Sequence, residues 1–255
     1  MTPRRGLRAL LLAVVLLMLV LVVEALLASR GRREPFGNPS RMPRVLGEAG
    51  PALTYAVIGD STSAGQGADY ERGIALATAR HLARERRVTL VNASISGARA
   101  ADVAAEQVEF AAGVRPDVAL LAFGANDVIR LTSLGALRDT AEMTVERLVA
   151  ANCDVKIVLT GAPEMGAVPR FAQSLRWVAG LRTRQVNRTI GAIVAQRELT
   201  LAPIAEQTGP LFARDPGLFA ADRFHPNDRG YATWAPVLTH ALDQALTRQP
   251  SHCGR

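Results

Sequence analysis

The chain has 255 residues, 49% of them hydrophobic and 21% charged, which suits one folded α/β domain and excludes a disordered protein. Its net charge is +7. Residues 1–50 hold eight arginines and three glutamates, which account for +5 and leave +2 for the rest. A basic surface for nucleic acid is therefore not indicated.

An apolar leader occupies residues 1–29. Residues 9–23 carry no charge, Glu24 interrupts the run, and residues 25–28 resume it. This is roughly the ~20 residues that a helix needs to cross a bilayer, and the run is long for a cleaved signal peptide. We favour an uncleaved membrane anchor with the domain that follows it outside the cytoplasm, or a secreted domain if the leader is cleaved. Arginines flank both sides of the run, so charge alone leaves the orientation open.

The rest of the chain divides into a linker, a domain and a tail. Residues 30–52 contain four prolines and several glycines, which predicts a semi-extended linker. Residues 53–248 form the predicted domain, and residues 249–255 form a tail.

Within the domain, short apolar runs alternate with longer amphipathic segments. This alternation predicts an α/β fold with a five-stranded parallel sheet and helices on both faces. The predicted strands are Thr54–Ile58, Val88–Val91, Val118–Ala122, Val155–Leu159 and Leu199–Ile204. The predicted helices cover residues 71–86, 101–112, 137–151, 171–197 and 228–247.

Small polar clusters follow the first three strands, where ligand sites of open parallel sheets lie, and a fourth cluster lies near the end of the chain. The first contains Ser61, whose hydroxyl is a poor nucleophile until a base takes its proton. His225 in the fourth cluster is the best-placed base. Asp222, three residues earlier, can reach the Nδ1–H of the imidazole and fix its tautomer. These residues are the predicted catalytic triad.

Acyl transfer also needs donors aimed at the developing oxyanion. The candidates are the backbone N–H groups of Ser61 and Gly97 and the side-chain amide of Asn126. We interpret Asp60 and Asp127 as structural residues that hold these loops by hydrogen bonds.

The motifs Gly59-Asp60-Ser61, Gly97, Gly124-x-Asn126-Asp127 and Asp222-x-x-His225-Pro226 resemble the four blocks of the SGNH hydrolase superfamily, also called GDSL esterases and lipases. The resemblance spans residues 54–245. It implies a flavodoxin-like three-layer α/β/α sandwich that hydrolyses esters or thioesters, and it implies the triad and oxyanion hole named above. Thr62 departs from the family pattern, which usually has leucine there, and we expect it to alter only the rim of the pocket.

Two alternatives stay open. One is a non-catalytic domain that binds acyl groups or glycans of the cell envelope. The other is a nucleotide-binding Rossmann-like domain, suggested by Gly65-x-Gly67, although Tyr70 stands where the third glycine is required and no acidic residue follows the second strand.

We expect the substrate to be an ester of a small molecule, a lipid or a glycan, and the sequence does not choose among them. We expect no cofactor and no metal, and the oligomeric state is open. The residues predicted to shape an apolar acyl pocket are Pro163, Met165, Val168, Leu211, Phe212 and Phe219.

Several remaining residues are interpreted as structural. Trp177, Trp234 and Phe219 are predicted to be packing residues. Cys153 is predicted to be a buried small side chain and Cys253 a mobile tail residue, and a disulfide between them is left open.

Overall fold

The computed structural model describes residues 3–32, 35–248 and 251–253. The strands are β1 (Arg44–Leu46), β2 (Ala52–Gly59), β3 (Arg87–Asn92), β4 (Val118–Ala122), β5 (Lys156–Leu159) and β6 (Thr200–Leu201). The helices are α1 (Pro3–Ser29), α2 (Ser61–Ala64), α3 (Ile74–Leu82), α4 (Ala100–Glu106), α5 (Val108–Gly113), α6 (Ala125–Ile129), α7 (Leu134–Ala151), α8 (Gln173–Gln196), α9 (Ile204–Arg214) and α10 (Asp228–Arg248).

One mixed sheet organises the domain, with strand order β1-β3-β2-β4-β5-β6. Strands β2 to β6 are parallel, and their order is that of flavodoxin-like folds. The five predicted parallel strands are present, and β1 adds a sixth, antiparallel strand at the edge beside β3. That strand lies inside the stretch 30–52 predicted as linker, so part of the stretch belongs to the sheet. The division into leader, linker, domain and tail otherwise stays a prediction.

Both faces of the sheet are covered by helices, which gives the three predicted layers. Alternate residues of a strand point to opposite faces. In β2, Ala56 and Ile58 pack with α4, α5, α7 and α8, while Tyr55 and Val57 pack with α3, α9 and α10. Consecutive residues at the centres of the strands are therefore apolar and buried, as the short hydrophobic runs predicted.

Most predicted elements lie where the sequence indicated, with two exceptions. The last predicted strand, Leu199–Ile204, is reduced to the two residues of β6. Residues 204–214, for which no helix was predicted, form the helix α9.

The apolar leader forms one continuous helix, α1. Its segment Leu10–Ser29 is 20 residues long with a mean hydropathy of 3.2, enough by length and composition to cross a membrane. Beyond it the chain turns back to the domain, where Asn38 accepts a hydrogen bond from the backbone N–H of Ser96 at 2.8 Å.

The two cysteines form a disulfide with a Cα–Cα distance of 4.9 Å. Cys153 is only partly buried and Cys253 is covalently linked to it, so the expectations of a buried Cys153 and a mobile Cys253 were wrong. The backbone N–H of His252 also donates to the carbonyl of Cys153 at 2.8 Å. The last described residues are thus fastened to the turn before β5.

Candidate active site

The predicted nucleophile lies at the carboxyl end of β2. Ser61 is the first residue of α2, and the carboxylate of Asp60 caps this helix by accepting the backbone N–H of Thr62 at 2.9 Å. Gly59 precedes them with φ +154°, and a Cβ there would lie 2.0 Å from the carbonyl oxygen of Ala122. Only glycine lets the chain pass β4 this closely before it turns into Ser61.

Three side chains form a continuous hydrogen-bonded series. Oγ of Ser61 lies 3.0 Å from Nε2 of His225, and Nδ1 of His225 lies 2.6 Å from Oδ2 of Asp222. The three residues are 5%, 9% and 6% exposed, respectively. A base hydrogen-bonded to a serine and oriented by a carboxylate is the arrangement that activates a hydroxyl for attack.

The loop that carries Asp222 also holds it in place. Oδ1 of Asp222 accepts the backbone N–H groups of Phe224 at 2.9 Å and His225 at 3.0 Å. Burial alone would raise the pKa of Asp222. The hydrogen bonds from the His225 side chain and from these two N–H groups outweigh burial and lower the pKa below its usual value. Asp222 is therefore ionised when it faces the imidazole.

The predicted oxyanion donors lie around Ser61, but only some line the same pocket. The backbone N–H of Ser61 is in the first turn of α2 and so has no partner within that helix. Asn126 in α6 lines the pocket with Ser61 and donates one amide hydrogen to the carbonyl of Ala98 at 3.0 Å. Gly97 does not line this pocket, although it precedes Ala98 and has φ +84°.

Two buried carboxylates support these loops, as the sequence indicated. Asp127 accepts the backbone N–H of Ala100 at 3.0 Å, which joins the loops after β3 and β4. Burial raises the pKa of Asp127, and it raises the pKa of Asp60 to about 6.

Sequence reasoning missed a third support, Gln107, which lies between α4 and α5. Its side chain accepts the N–H of Gly59 at 2.8 Å and donates to the carbonyl of the same residue at 2.9 Å. Gln107 is completely buried. It thus fixes the backbone two residues before Ser61, and no local pattern in the sequence indicates this long-range contact.

Beside Ser61 lies a mostly apolar cavity of about 30 Å³, room for about two water molecules. Of the residues predicted to shape it, Leu211 alone does not line it and is instead half exposed. Glu164 also lines it, and burial raises the pKa of this carboxyl. The remaining lining residues are Ser61, Thr62, Ala125, Asn126, Pro163, Met165, Val168, Thr208, Gly209, Phe212, Phe219, Phe224, His225, Pro226 and Trp234.

The three aromatic residues predicted to be packing residues divide between the core and the surface. Trp234 is buried, and it lines this pocket together with Phe219. Trp177 is 70% exposed, so that prediction was wrong.

Comparisons with known proteins identify the family of this chain. Residues 57–233 match the model of the GDSL-like Lipase/Acylhydrolase family. The chain belongs to this family. It is 32% identical over 198 residues to the GDSL-like esterase Rv1075c of Mycobacterium tuberculosis, covering 76% of this chain and 62% of that protein. It thus matches less than two thirds of that relative's length.

This GDSL family member is also similar to a second curated esterase and to a solved lipase structure. Esterase TesA of Pseudomonas aeruginosa is 28% identical over 187 residues, covering 71% of this chain and 84% of that protein. The crystal structure of the lipase Lip_vut3 from a goat rumen metagenome superposes with a TM-score of 0.61 at 19% identity. It covers 74% of this chain and 97% of that one, and it shows the shared fold.

The glycines that suggested a nucleotide-binding loop have another role in this GDSL family member. A Cβ on Gly67 would lie 2.5 Å from the carbonyl of Pro226 and 2.7 Å from Cβ of His225. Gly67 therefore lets the loop after α2 pack directly against the segment that carries His225. Close packing explains this glycine without a bound phosphate.

Proposed function

We propose that this protein is a serine hydrolase that cleaves carboxylic esters through an acyl-enzyme on Ser61. The observation that carries the proposal is the buried hydrogen-bonded series from Ser61 through His225 to Asp222 at the mouth of an apolar cavity. The esterase names of the two sequence relatives agree with it. The site as a whole fits acyl transfer better than binding alone, because a binding domain needs no such base.

In the proposed reaction, Nε2 of His225 takes the proton of Ser61 as Oγ attacks the ester carbonyl. The negative charge that develops on the carbonyl oxygen is stabilised by the N–H groups of Ser61 and Gly97 and by the second amide hydrogen of Asn126. His225 then gives its proton to the departing alcohol. Water activated by the same imidazole releases the acid, and Asp222 stabilises the imidazolium in both steps.

The size of the cavity favours a short acyl group. A volume of about 30 Å³ accommodates the methyl group of an acetyl ester, given that one water already needs roughly 10–15 Å³ on this measure. Met165, Val168 and Phe212 give the cavity an apolar wall. We therefore propose acetyl and other short-chain esters of a small molecule, lipid or glycan as the substrate class.

The proposal includes a location. Helix α1 serves as a membrane anchor, and the catalytic domain lies outside the cytoplasm. The disulfide between Cys153 and Cys253 supports this location, because such bonds persist in oxidising compartments.

The test of the hydrolase is a series of p-nitrophenyl esters from acetate to palmitate, assayed with the full chain in detergent. We expect the highest kcat/KM for acetate and a steady fall with chain length. Ser61→Ala should abolish turnover. Ser63→Ala is the matched control, because its hydroxyl is bound to the carbonyl of Asp60 and does not line the cavity. Hydrolysis that survives in Ser61→Ala, or that is absent from every ester in the wild type, would overturn the proposal and favour a binding domain.

The anchor has a separate test. After an alkaline carbonate wash of membranes, we expect the full-length chain to stay in the pellet. Release of a shortened chain would show that the leader is cleaved.

A further inference from the structure

A second surface of the domain lies beside the end of α1 and is unusually apolar. It consists of Ile129, Leu131, Trp177, Val178 and Leu181, and we call it the apolar face. Trp177 is 70% and Leu131 is 66% exposed, and the other three are between 39% and 52% exposed. Scattered apolar side chains are normal on a surface, but Trp177, Val178 and Leu181 are neighbours at helical spacing on α8, and such a group with a tryptophan marks an interaction site.

The apolar face is continuous with the anchor helix. A groove of about 410 Å³ runs between them. One side of the groove is formed by Ala25, Ala28 and Ser29 at the end of α1, and the other includes Ile129, Leu131 and Val178. The apolar face therefore lies next to the C-terminal end of α1.

A hydrogen bond to the carboxylate of Glu24 sets the depth of this surface. This carboxylate accepts the backbone N–H of Leu175 at 2.8 Å, in the first turn of α8. The N–H groups in the first turn of a helix have no partner within the helix. A polar residue before the helix often accepts one of them, but Ala172 stands in that position and has no side-chain acceptor. Glu24 takes this role instead. The charged residue that interrupts the apolar leader thus has a partner in the catalytic domain.

Glu24 lies five residues before Ser29, which is about 7.5 Å along a helix. The uncharged run 9–23 is 15 residues long, about 22 Å, and a hydrocarbon core is about 30 Å thick. The run is therefore shorter than the core, and a span over Leu10–Ser29 brings Glu24 about 7.5 Å inside the edge of the hydrocarbon. Since Leu175 is bound to Glu24, the start of α8 lies at that same level.

Basic residues surround the apolar face. Arg130 lies between Ile129 and Leu131 in the chain and is exposed. Arg170 and Arg182 line the groove, and Arg170 also contacts the carbonyl oxygen of Arg32. Apolar side chains bordered by arginines and a tryptophan suit the interface of a membrane with anionic head groups.

We propose that the apolar face docks on a phospholipid bilayer, on the leaflet in which α1 ends. The domain then contacts the membrane surface directly and is not attached to it through α1 alone. Phe224 lines both the groove and the catalytic cavity, so the cavity is near the lipid and receives substrate presented there. The docking rests on the proposed anchor role of α1 and is independent of whether Ser61 is a nucleophile.

Trp177 provides a direct readout, since the chain has only two tryptophans and Trp234 is 2% exposed. The full chain is reconstituted in vesicles of phosphatidylcholine and phosphatidylglycerol, with or without bromine on the acyl chains near the glycerol. We expect bromine to remove most of the Trp177 emission, obtained as the difference between wild type and Trp177→Phe. Equal Trp177 emission in both vesicles overturns the docking. Shielding of Trp177 from acrylamide without quenching by bromine also overturns it, because a protein then covers the face.

Two variants sharpen the result. Val45→Trp in the Trp177→Phe background places a reporter on β1, at the far edge of the sheet from β6, where α8 packs. We expect bromine to leave this reporter's emission unchanged, and equal quenching there would contradict a specific face. Glu24→Leu removes the acceptor for Leu175 but keeps α1 apolar, so we expect membrane retention with a loss of Trp177 quenching. Unchanged quenching would overturn the role of Glu24. Loss of membrane retention in the wild type would refute the anchor itself.

Discussion

Replacing Asp222 with asparagine tests the orientation of His225 with little change of shape. Oδ1 of Asp222 accepts the backbone N–H groups of Phe224 and His225, so the amide oxygen of asparagine takes that position. In the wild type, Nδ1 of His225 lies 2.6 Å from the acceptor Oδ2 of Asp222. In the variant, the donor nitrogen of the amide faces Nδ1 in its place. Nδ1 must become an acceptor, and the proton moves to Nε2. A protonated Nε2 cannot take the proton of Ser61, 3.0 Å away.

We expect kcat for p-nitrophenyl acetate to fall about 10⁴-fold, the loss typical of a triad histidine held in the wrong tautomer. This corresponds to about 5 kcal/mol of transition-state stabilisation. The matched control is Asp243→Asn, because Asp243 pairs with His81 at 2.9 Å on the surface, and its activity should equal the wild type. Thermal unfolding checks that both variants fold. A folded Asp222→Asn enzyme within about tenfold of the wild-type kcat would refute the role of Asp222.

Three further predictions concern the supports of the site and the fold. Burial raises the pKa of Asp60 to about 6, whereas an aspartate of the unfolded chain titrates near ~4. Between these pH values the folded state keeps a proton that the unfolded chain has lost. The free energy of unfolding of the wild type therefore falls by about 3 kcal/mol as pH rises from the lower value to the higher. Asp60→Asn removes this loss, and urea unfolding curves that shift equally with pH in both proteins would contradict it. Gln107→Leu leaves the N–H of Gly59 without its acceptor, which should cost about 1–3 kcal/mol in urea unfolding and lower kcat; an unchanged midpoint would count against it. Replacing Cys153 and Cys253 by serine removes a covalent link between residues 100 apart in the chain. We expect the free energy of unfolding to fall by about 2–4 kcal/mol, measured as a lower Tm, and an unchanged Tm would contradict a stabilising disulfide.

The sequence predicted the central strands well because each is a buried apolar run. Residues 118–122 form β4 as predicted. The edge strand β1 was missed because it has only three residues, between Pro43 and Gly47, and its partners come from elsewhere in the chain. Helix α9 was missed because Gly209 and Pro210 lie inside it, and both residues usually mark a turn.

The candidate triad could be predicted because chemistry fixes which residue types it needs and parallel strands end at one edge of the sheet. Residues that act through tertiary contact could not. Gln107 reaches Gly59 across 48 positions, and Glu24 reaches Leu175 across 151. From the sequence alone, Glu24 is only an interruption of an apolar run, because its partner is visible only in the folded chain.

The short strand β1 has a practical consequence for any soluble form of this protein. It covers the outer edge of β3, and a bare strand edge is a template for edge-to-edge aggregation. A chain shortened at residue 50 removes β1 and the contact of Asn38 with Ser96 together. A chain that begins near residue 35 keeps both. The position of the cut, more than the loss of the apolar helix, is therefore expected to decide whether the shortened domain stays monodisperse.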